Sequence, residues 1–522
     1  MKFHTVLNLA AFGALLLAAG PSVAQSFRVQ CPGIGGTPQF TNLHPDPSVV
    51  LTNGVTTAVS PVTGAPIGST YAAAYPGQIK CQEISGGDGY ATMGDGHQIY
   101  LFAFGPLSGI GDLTQGRPAT ELNTDFIQAF PATAVGDPIT SNAAIQDPVQ
   151  IMNSGVLAGN APAPLMAINE DDEFFLTLSN VGMIMRPDLF EQHTVHFHGY
   201  PNASSYFDGV PDASVAINIA GSFTYYYTAP DAGTYFWHCH ITPPEHLQMG
   251  MEGQLYVRPR QNKVTEAAAV PTTALKAALA ARNAIAPASL NAGLAPGCAD
   301  ILCTGQTPVP TVVSATSTEP KGAQYAYNDG DGSTRFDVEY PIQMMGFDPN
   351  FHFIGMTFNP ESFQDMKDKY FLLNGRGYPD TINPNAIATE ASDGISRPSQ
   401  PLPALVKINR AAGQTRALLR ISDLSVTEFT TLATIGIPMQ VVGNNARLLR
   451  DFAGNNLYYY TNSITMGGGE SIDVILDVSD TTKYPVTAGA QQIFYLYSTE
   501  LDHLSNDAEN FGGMMTEIVV QD

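Results

Sequence analysis

Histidines are the residues of this sequence most suited to chemistry, because six of the eleven lie in two short segments. The first segment is QHTVHFHG at residues 192–199, and the second is YFWHCHITPPEHLQMGM at residues 235–251. The second segment also holds a cysteine and two methionines. Imidazole, thiolate and thioether groups are ligands that soft transition metals prefer in proteins. The two segments therefore predict metal binding.

The spacing of these ligands predicts two sites. Side chains alternate between the two faces of an extended strand, so His196 and His198 share one face and His193 points to the other. In the second segment, the histidines on either side of Cys239 share a face, and Cys239 points oppositely. If the two strands are neighbours, four imidazoles meet on one side and Cys239 meets His193 on the other.

The site at Cys239 has the composition of a known type of metal centre. Together with His193, the nearby His246 and Met251 supply two imidazoles, a thiolate and a weak thioether. That is the ligand set of a blue-copper electron-transfer centre. Zinc also accepts cysteine and histidine, but the methionine argues against it. Met249 competes with Met251 as the weak ligand, and spacing alone leaves that choice open.

Short strands must position these ligands. The chain has 49 glycines and 38 prolines, and its apolar stretches are short, β-branched or aromatic, and separated by turn residues. Examples are residues 173–179, 223–228, 253–257 and 472–478. This pattern predicts an all-β protein made of Greek-key β-sandwich domains.

The chain divides into segments of different composition. We predict a signal peptide at residues 1–24, an N-terminal extension at 25–89, a metal-binding β domain at 90–260 with an insertion at about 106–165, a partly helical linker at 261–334, and a second β domain at 335–522. The first segment has a lysine, a short apolar run and small residues before Gln25, as secretory signals do. No apolar run approaches the roughly 20 residues that cross a bilayer. We expect an exported protein, periplasmic or extracellular, without a membrane span.

Charge and cysteine content restrict the partners. A formal charge of −24 disfavours nucleic acids and anionic membranes as partners.

The chain has five cysteines, which is an odd number for an exported protein. Cys31 with Cys81 and Cys298 with Cys303 are plausible disulfides, which leaves Cys239 as the unpaired thiol.

At these residues the sequence resembles the multicopper oxidases, the family of laccases and related ferroxidases. Its type 1 domain carries H-x-x-H-x-H-G and, later, H-C-H followed by a histidine and, five residues on, a methionine. The matching residues are His193, His196, His198 and Gly199, then His238, Cys239, His240, His246 and Met251. The resemblance is strong over about residues 165–260 and moderate over 335–522, where 373–380 and 416–422 resemble a copper-free domain of the family.

The resemblance implies two cupredoxin-like domains and copper as the cofactor. It implies a type 1 copper at His193, Cys239, His246 and Met251, and one half of a trinuclear copper cluster at His196, His198, His238 and His240. An electron donor, which would be a small phenol, a metal ion or a redox protein, would reduce the type 1 copper. The residues 238–240 would carry the electron to the site where dioxygen is reduced. Asp208 and Asp212 are candidate proton donors, although a turn at the edge of a sandwich is the simpler explanation for both.

Two departures from the family pattern open alternatives. Five residues separate His240 from His246, where the family usually has three, and only two H-x-H pairs are present where the full cluster takes four. Another subunit would then supply the second half, so we expect a homo-oligomer. Alternatively the protein is similar to copper nitrite reductase, whose third type 2 histidine comes from a neighbouring subunit, with His503 or His352 as candidates. A third alternative is a periplasmic copper-binding or electron-transfer protein with an incomplete second site.

Overall fold

The computed structural model describes most of the two predicted β domains. The described residues are 29, 31, 49–52, 55–59, 66–67, 78–128, 148–170, 172–200, 205–228, 231–259, 262, 324–329, 332–356, 362–451, 455–487 and 489–522. The expected signal peptide, most of the expected linker, and His44, Cys298 and Cys303 lie outside these residues.

Strands dominate the described chain. In order they are β1 (Val49–Thr52), β2 (Val55–Val59), β3 (Pro66–Ile67), β4 (Ile79–Thr92), β5 (Gln98–Pro106), β6 (Glu121–Leu122), β7 (Met166–Asn169), β8 (Glu173–Gly182), β9 (His196–Phe197), β10 (Ser222–Thr228), β11 (Gly233–His238), β12 (Glu252–Arg258), β13 (Gln324–Tyr325), β14 (Arg335–Phe336), β15 (Val338–Phe347), β16 (Tyr370–Leu373), β17 (Ile387–Glu390), β18 (Ser396–Gln400), β19 (Val406–Asn409), β20 (Arg416–Asp423), β21 (Thr430–Ile435), β22 (Met439–Asn444), β23 (Arg447–Leu448), β24 (Tyr459–Thr461), β25 (Ser463–Met466), β26 (Ser471–Asp477), β27 (Gln491–Ser498), β28 (Ser505–Asn506), β29 (Glu509–Asn510) and β30 (Met515–Gln521).

Helices are few and short in the same residues. The α-helices are α1 (Ile110–Leu113), α2 (Asn123–Gln128), α3 (Pro148–Gly155), α4 (Pro243–Gln248) and α5 (Pro349–Met356). Single turns of 3₁₀ helix occur at Ser205–Phe207, Phe363–Asp365, Asp380–Ile382, Arg410–Ala412 and Asp502–Leu504. None of the helices in the described ranges combines the length and the apolar character that crossing a membrane requires. The expected insertion holds β6, α1, α2 and α3 in its described part.

Two sheets form the first domain. One has the strand order β10-β8-β4-β5 with β6 added to β4, and the other has the order β7-β12-β11-β9. Alternation along β8 explains how they pack, because Phe174, Leu176 and Leu178 enter the core between the sheets, which also contains Cys239. The intervening Phe175 faces a separate apolar cluster on the outer side. Burying each such side chain contributes roughly 1.5–3 kcal/mol to folding.

The outer cluster contains the one disulfide among the described residues. Cys31 is bonded to Cys81 of β4, which confirms the predicted pairing. Cys239 is buried and unpaired. The pairing expected between Cys298 and Cys303 stays a prediction.

The second domain is a larger sandwich. Its sheets have the orders β23-β22-β26-β20-β15-β16-β28-β29, with β24 on β22, and β19-β30-β27-β21-β25. Ile472, Val474 and Leu476 of β26 and Ile518 and Val520 of β30 meet in its core. The all-β prediction with two sandwich domains is therefore confirmed, while the domain boundaries stay predictions.

Strand β11 joins the two domains. The Thr234 hydroxyl donates a hydrogen bond to Asp473 at 2.6 Å. On the neighbouring strand, the Gln254 amide donates to the Ser422 hydroxyl at 2.7 Å and to the Arg420 carbonyl at 2.9 Å. All five residues are buried. The strand that ends in the His-Cys-His tripeptide is thus held against the second sandwich.

Candidate metal centre

The two histidine segments lie side by side. Strand β9 pairs antiparallel with β11, so that His196 stands opposite His238 and Phe197 opposite Trp237. One residue later the His198 N–H donates to the Phe236 carbonyl at 2.8 Å. The alternation of side chains then separates the ligands into two groups on opposite faces.

Four imidazoles meet on the first face. The ring centroids of His196, His198 and His238 are 4.8 to 5.5 Å apart, and their nitrogens lie within 4.8 Å of one another. The His240 ring lies 5.1 Å from that of His196 and 5.5 Å from that of His238. These four side chains form the polyhistidine group.

Backbone carbonyls orient these rings. His196 Nδ1 donates to the Asp208 carbonyl at 2.7 Å, and His238 Nδ1 donates to the Cys239 carbonyl at 2.6 Å. A hydrogen bond on Nδ1 fixes the neutral tautomer whose Nε2 has a free lone pair. Metal-binding histidines are oriented in this way.

The second domain contributes to the same group through Gly469. The His198 ring forms a hydrogen bond with the Gly469 backbone, and a Cβ at position 469 would lie 2.8 Å from His198 Nδ1. His198 Nε2 and His238 Nε2 are then 2.9 Å apart. Two lone pairs at this distance repel each other unless a cation or a proton lies between them, so the arrangement fits a metal ion.

Burial keeps these imidazoles neutral. It lowers the pKa of His198 to about 4, assisted by the neighbouring His196, and it lowers the pKa of His238 well below its ordinary value, assisted by His198. Burial likewise lowers the pKa of His193, with a smaller contribution from His246. Neutral imidazoles are the form that binds metal.

The Cys239 group lies on the opposite face. The ligand atoms of His193, Cys239 and His246 lie within 4.8 Å of one another, and all three residues are buried. His246 Nδ1 is 3.3 Å from Cys239 Sγ, and the Thr194 N–H donates to the same sulfur at 3.4 Å. The Thr194 hydroxyl accepts from the His240 N–H at 3.0 Å, so one residue touches both groups.

The Cys239 group has the properties of a metal site. Both ring nitrogens of His193 are buried and have no hydrogen-bond partner among the described residues. Such groups cost about 1–3 kcal/mol when left unsatisfied. Burial by itself would raise the pKa of the Cys239 thiol, but the charge and hydrogen bond of His246 and two backbone N–H groups lower it overall. The donor set, two imidazoles and a thiolate, fits a soft transition metal.

The longer loop before His246 forms helix α4. Thr242 has a left-handed conformation with φ of 38°, and Pro243 and Pro244 occupy the first helical positions, where proline is favoured. The helix returns His246 to Cys239, so the two additional residues do not displace this histidine from the group.

The methionines that compete for the weak-ligand position lie in different apolar clusters. Met251 lies in the same apolar cluster as Cys239. The Cys239 N–H donates a hydrogen bond to the Met251 carbonyl at 3.0 Å. Met249 belongs to a cluster with Tyr100 and Phe102. This separation favours Met251.

Several residues near the Cys239 group were not found by sequence reasoning. Glu191 places a carboxylate oxygen 3.5 Å from His246 Nε2, and the Phe102 ring meets the His246 ring edge-on at 5.7 Å. Gly86 of β4 lies against His193, since a Cβ there would be 2.7 Å from the ring. Gly86 and Phe102 come from remote segments of the chain, and Glu191, two residues before His193, carries no spacing signal that marks it.

Among the described residues, the isolated histidines do not extend either group. His352 and His503 are each 1% exposed. His352 Nδ1 bonds the Tyr100 carbonyl at 2.5 Å, and the His503 ring stacks on Phe371 at 3.9 Å. Both imidazoles are enclosed in their own chain in the described structure, and the expectation that one of them serves a neighbouring subunit stays a prediction. His97 is exposed and pairs with an adjacent aspartate, Asp95.

The two acidic candidates differ in position. A carboxylate oxygen of Asp208 lies 3.5 Å from His196 Nδ1, beside the hydrogen bond that its backbone carbonyl makes. Asp212 is exposed in a turn. Only Asp208 touches the polyhistidine group.

Part of the chain is similar in sequence to known proteins. Residues 142–262 match the family model described as multicopper oxidase. The chain is 32% identical over 107 residues to "Laccase abr2" of Aspergillus fumigatus and 32% identical over 106 residues to "Multicopper oxidase MCE" of Talaromyces pinophilus. Each match covers 20% of this chain but only 17% and 16% of those relatives.

Solved structures with a similar course of the chain include two from Nitrosomonas europaea. A blue copper oxidase aligns with a TM-score of 0.47 and 16% identity, covering 84% of this chain and 85% of that chain. A copper nitrite reductase aligns with a TM-score of 0.42 and 13% identity, covering 85% of this chain and 94% of that chain.

By fold and site, the protein is an all-β molecule of two sandwiches, the first of which carries two adjacent groups of residues that could hold metal ions. The segment of residues 142–262 is similar to the multicopper oxidase family, whose name gives copper as the metal.

Proposed function

We propose that this protein is an exported copper-dependent oxidoreductase. His193, Cys239, His246 and Met251 would hold a type 1 copper that takes single electrons from a donor. The polyhistidine group would hold the copper at which dioxygen is reduced. The observation that carries this proposal is the division of one tripeptide between two groups, with Cys239 on one face and His238 and His240 on the other.

Cys239 and His238 connect the two groups, and Asp208 lies beside the polyhistidine group. Cys239 Sγ faces one group, while the Cys239 carbonyl accepts the hydrogen bond from His238 Nδ1 of the other at 2.6 Å. This bond gives a short covalent and hydrogen-bonded path for an electron. Copper, when bound, supplies the one-electron redox chemistry. Asp208 holds His196 in place, and its carboxylate lies against this group, where it is able to deliver the protons that oxygen reduction consumes.

A substitution of the thiol tests the assignment of the two groups. We predict that Cys239→Ser abolishes the blue absorption of the copper-loaded protein and lowers oxygen consumption at least a hundredfold. The polyhistidine group keeps its copper, because its four imidazoles are untouched. Visible absorption, electron paramagnetic resonance and copper content of the variant measure both effects. Blue colour retained in the variant contradicts the type 1 assignment, and zinc in place of copper in the wild type contradicts the whole proposal.

A second copy of the chain is part of the proposal. A trinuclear cluster in this family takes eight histidines, and the described residues bring four together in one chain. We propose a homo-oligomer in which polyhistidine groups complete each other. Two chains then share one three-copper cluster and each holds one type 1 copper, so about 2.5 coppers per chain and loss of oxygen consumption on dissociation are expected. About one copper per chain indicates an electron carrier.

Nitrite reduction is the second candidate, and the small number of imidazoles favours it. Four imidazoles suffice for a single type 2 copper beside the type 1 copper. Reoxidation of the reduced blue centre by nitrite without oxygen identifies this activity. Reoxidation by oxygen alone supports the oxidase. The acidic chain is compatible with metal ions and with phenols as electron donors. Assays with a panel of phenols and reduced metal ions decide the donor class.

A further inference from the structure

The ligands of the Cys239 group are enclosed by protein. His193, Cys239 and His246 are each 0% exposed in the described structure. A donor in solvent therefore does not touch either imidazole. Electrons that reach this group have to cross a layer of side chains, and the side chains that lie against the imidazoles decide the route.

One route is a row of aromatic rings. The His246 ring meets Phe102 at 5.7 Å, Phe102 meets Tyr100 at 6.0 Å, and Tyr100 meets Tyr90 at 5.8 Å. Phe102 and Tyr100 are buried, and Tyr90 is half-buried. Phe102 and Tyr100 lie two residues apart on β5, and Tyr90 stands opposite Tyr100 on β4, so the row runs from the ligand toward the surface.

The outer end of the row opens into a depression of about 550 Å³. That volume is in the range of small-molecule sites, roughly 300–1,000 Å³. Its lining residues are Tyr90, Gln98, Glu390, Ala391, Ser392 and Gly394. A phenol ring forms one wall, and amide, carboxylate and hydroxyl groups form the others. Such a lining matches a small hydroxylated aromatic molecule that contacts the ring and donates hydrogen bonds to oxygen acceptors.

The middle of the row has a proton acceptor. The Tyr100 hydroxyl donates to a carboxylate oxygen of Asp88, and the other oxygen of Asp88 accepts the Met185 N–H at 3.0 Å. A phenol that loses an electron becomes a strong acid, so it needs a base in contact with its hydroxyl. Asp88 is buried and in that position.

We propose that the depression beside Tyr90 is a donor site, and that Tyr90, Tyr100 and Phe102 relay electrons from a small phenolic donor to the Cys239 group. This inference rests on the proposed copper site. Phe102 bridges Tyr100 and His246, and Asp88 positions the proton of Tyr100.

The relay transfers electrons and protons in balanced steps. A hydroquinone in the depression loses one electron and releases one phenolic proton to solvent, giving a semiquinone. When Tyr100 gives an electron toward His246, where a cupric ion held by the Cys239 group would be the oxidant, its hydroxyl proton moves to Asp88. The electron arriving through Tyr90 restores Tyr100, and the proton returns from Asp88. Each cycle transfers one electron and leaves the protein side chains unchanged.

Single-turnover reduction of the oligomeric holoenzyme by hydroquinone without oxygen tests the relay. We expect Tyr100→Phe and Tyr90→Phe each to slow bleaching of the blue band at least tenfold at unchanged copper content. Tyr90→Phe is the safer variant for folding, because its hydroxyl is not fully buried. Tyr370→Phe is the matched control: Tyr370 also donates to a carboxylate, Asp95 at 3.1 Å, and lies outside the row. Its rate should equal the wild type.

Radical detection gives a readout without copper. Photo-oxidation of the copper-free protein by a ruthenium complex should produce a tyrosyl signal in electron paramagnetic resonance. We expect this signal to fall by at least half in Tyr100→Phe and to persist in Tyr370→Phe.

The outcomes separate this inference from the proposed function. A blue wild-type protein whose Tyr90→Phe and Tyr100→Phe variants bleach at the wild-type rate overturns the relay and leaves Glu191 as the entry side. A protein that binds no copper at Cys239 overturns the proposed function and, with it, the relay.

Discussion

At the residue scale, the site depends on contacts as much as on ligands. His193 fits beside β4 because position 86 has no side chain, and a Cβ there would come within 2.7 Å of the imidazole. A contact that short forces either the ring or the strand to move. The geometry of the Cys239 group is thus set partly by a glycine more than a hundred residues before it in the sequence.

We predict that Gly86→Ala shifts or weakens the blue absorption band and lowers copper affinity at the Cys239 group about tenfold. The added methyl displaces His193, while the polyhistidine group keeps its copper. Gly111→Ala is the control, since a Cβ at position 111 meets no atom within 4 Å. An unchanged band in Gly86→Ala would show that His193 is not held by this contact.

Glu83, on the same strand, makes stability depend on pH. Burial raises its pKa to about 8 from 4.5, although a hydrogen bond from Ser179 lowers it in part. The folded state therefore holds a proton that the unfolded state loses above pH 4.5, and stability falls as pH rises toward 8. This rise in pKa corresponds to roughly 5 kcal/mol.

Substitution of this carboxyl should reduce the pH dependence. We predict that the free energy of unfolding of Glu83→Gln, relative to that of the wild type, is roughly 3 kcal/mol higher at pH 8 than at pH 5. The reason is that the amide, unlike the carboxyl, does not lose a proton. Urea unfolding at both pH values measures this difference. The exposed Glu509→Gln serves as the control, and equal pH slopes in all three proteins would contradict the prediction.

At the element scale, the turn after α4 decides which methionine approaches the metal. Met249 follows the last residue of the helix and packs with Tyr100 and Phe102, whereas Met251 precedes β12 and joins the cluster of Cys239. The Met251 N–H also donates to the His246 carbonyl at 2.8 Å. The backbone of Met251 is therefore fixed to that of a ligand.

We predict that Met251→Leu keeps the blue colour and raises the reduction potential, because loss of a weak axial thioether destabilises the oxidised metal. Met249→Leu should leave the potential unchanged. Potentiometric titration of the blue band measures both variants. A shift in Met249→Leu alone would reverse the assignment of the axial ligand.

The strands also show what sequence could predict. Period-two spacing placed His196 and His198 on one face and Cys239 on the other, because strand geometry is local. The packing of Gly86, Glu191 and Gly469 against the ligands was not predicted. Those contacts join segments far apart in the chain, and they depend on sheet order and on the approach of the second domain, which carry no local signal.

At the scale of the whole molecule, the second domain repeats the hydrogen-bond pattern of the ligand loop. In the first domain, the Cys239 N–H donates to the Met251 carbonyl at 3.0 Å and the Met251 N–H donates to the His246 carbonyl at 2.8 Å. The same two bonds occur in the second domain at 2.9 and 2.8 Å. The residues in the corresponding positions are Ser498, Met514 and His503.

The replaced ligands keep the same neighbours. Ser498 Oγ lies 3.4 Å from His503 Nδ1 in the second domain. In the first domain, Cys239 Sγ lies 3.3 Å from His246 Nδ1. Phe371 stacks on His503 and begins FLLNGRGYP, which aligns with HTVHFHGYP from position 193. In that alignment Asn374 and Arg376 replace the paired histidines.

Arg376 shows that the replaced position no longer needs a metal. Its guanidinium donates to four backbone carbonyls, those of Gln400, Asp380, Asn383 and Asn385. A buried cation thus satisfies the groups around this position. The second domain is a sandwich of the same plan in which two ligand types were exchanged while the loop geometry remained.

This correspondence predicts that copper binding can be restored in the second domain. In a Cys239→Ser background, Phe371→His with Ser498→Cys should give a new blue absorption and one additional copper per chain. The thiol and the imidazole would lie beside His503 and Met514, in the arrangement that the first domain uses. Either substitution alone should give no blue band, because a thiolate with one imidazole is an incomplete set. If the double variant folds, as judged by circular dichroism, and binds no copper, then the shared loop geometry is not sufficient to position a type 1 site.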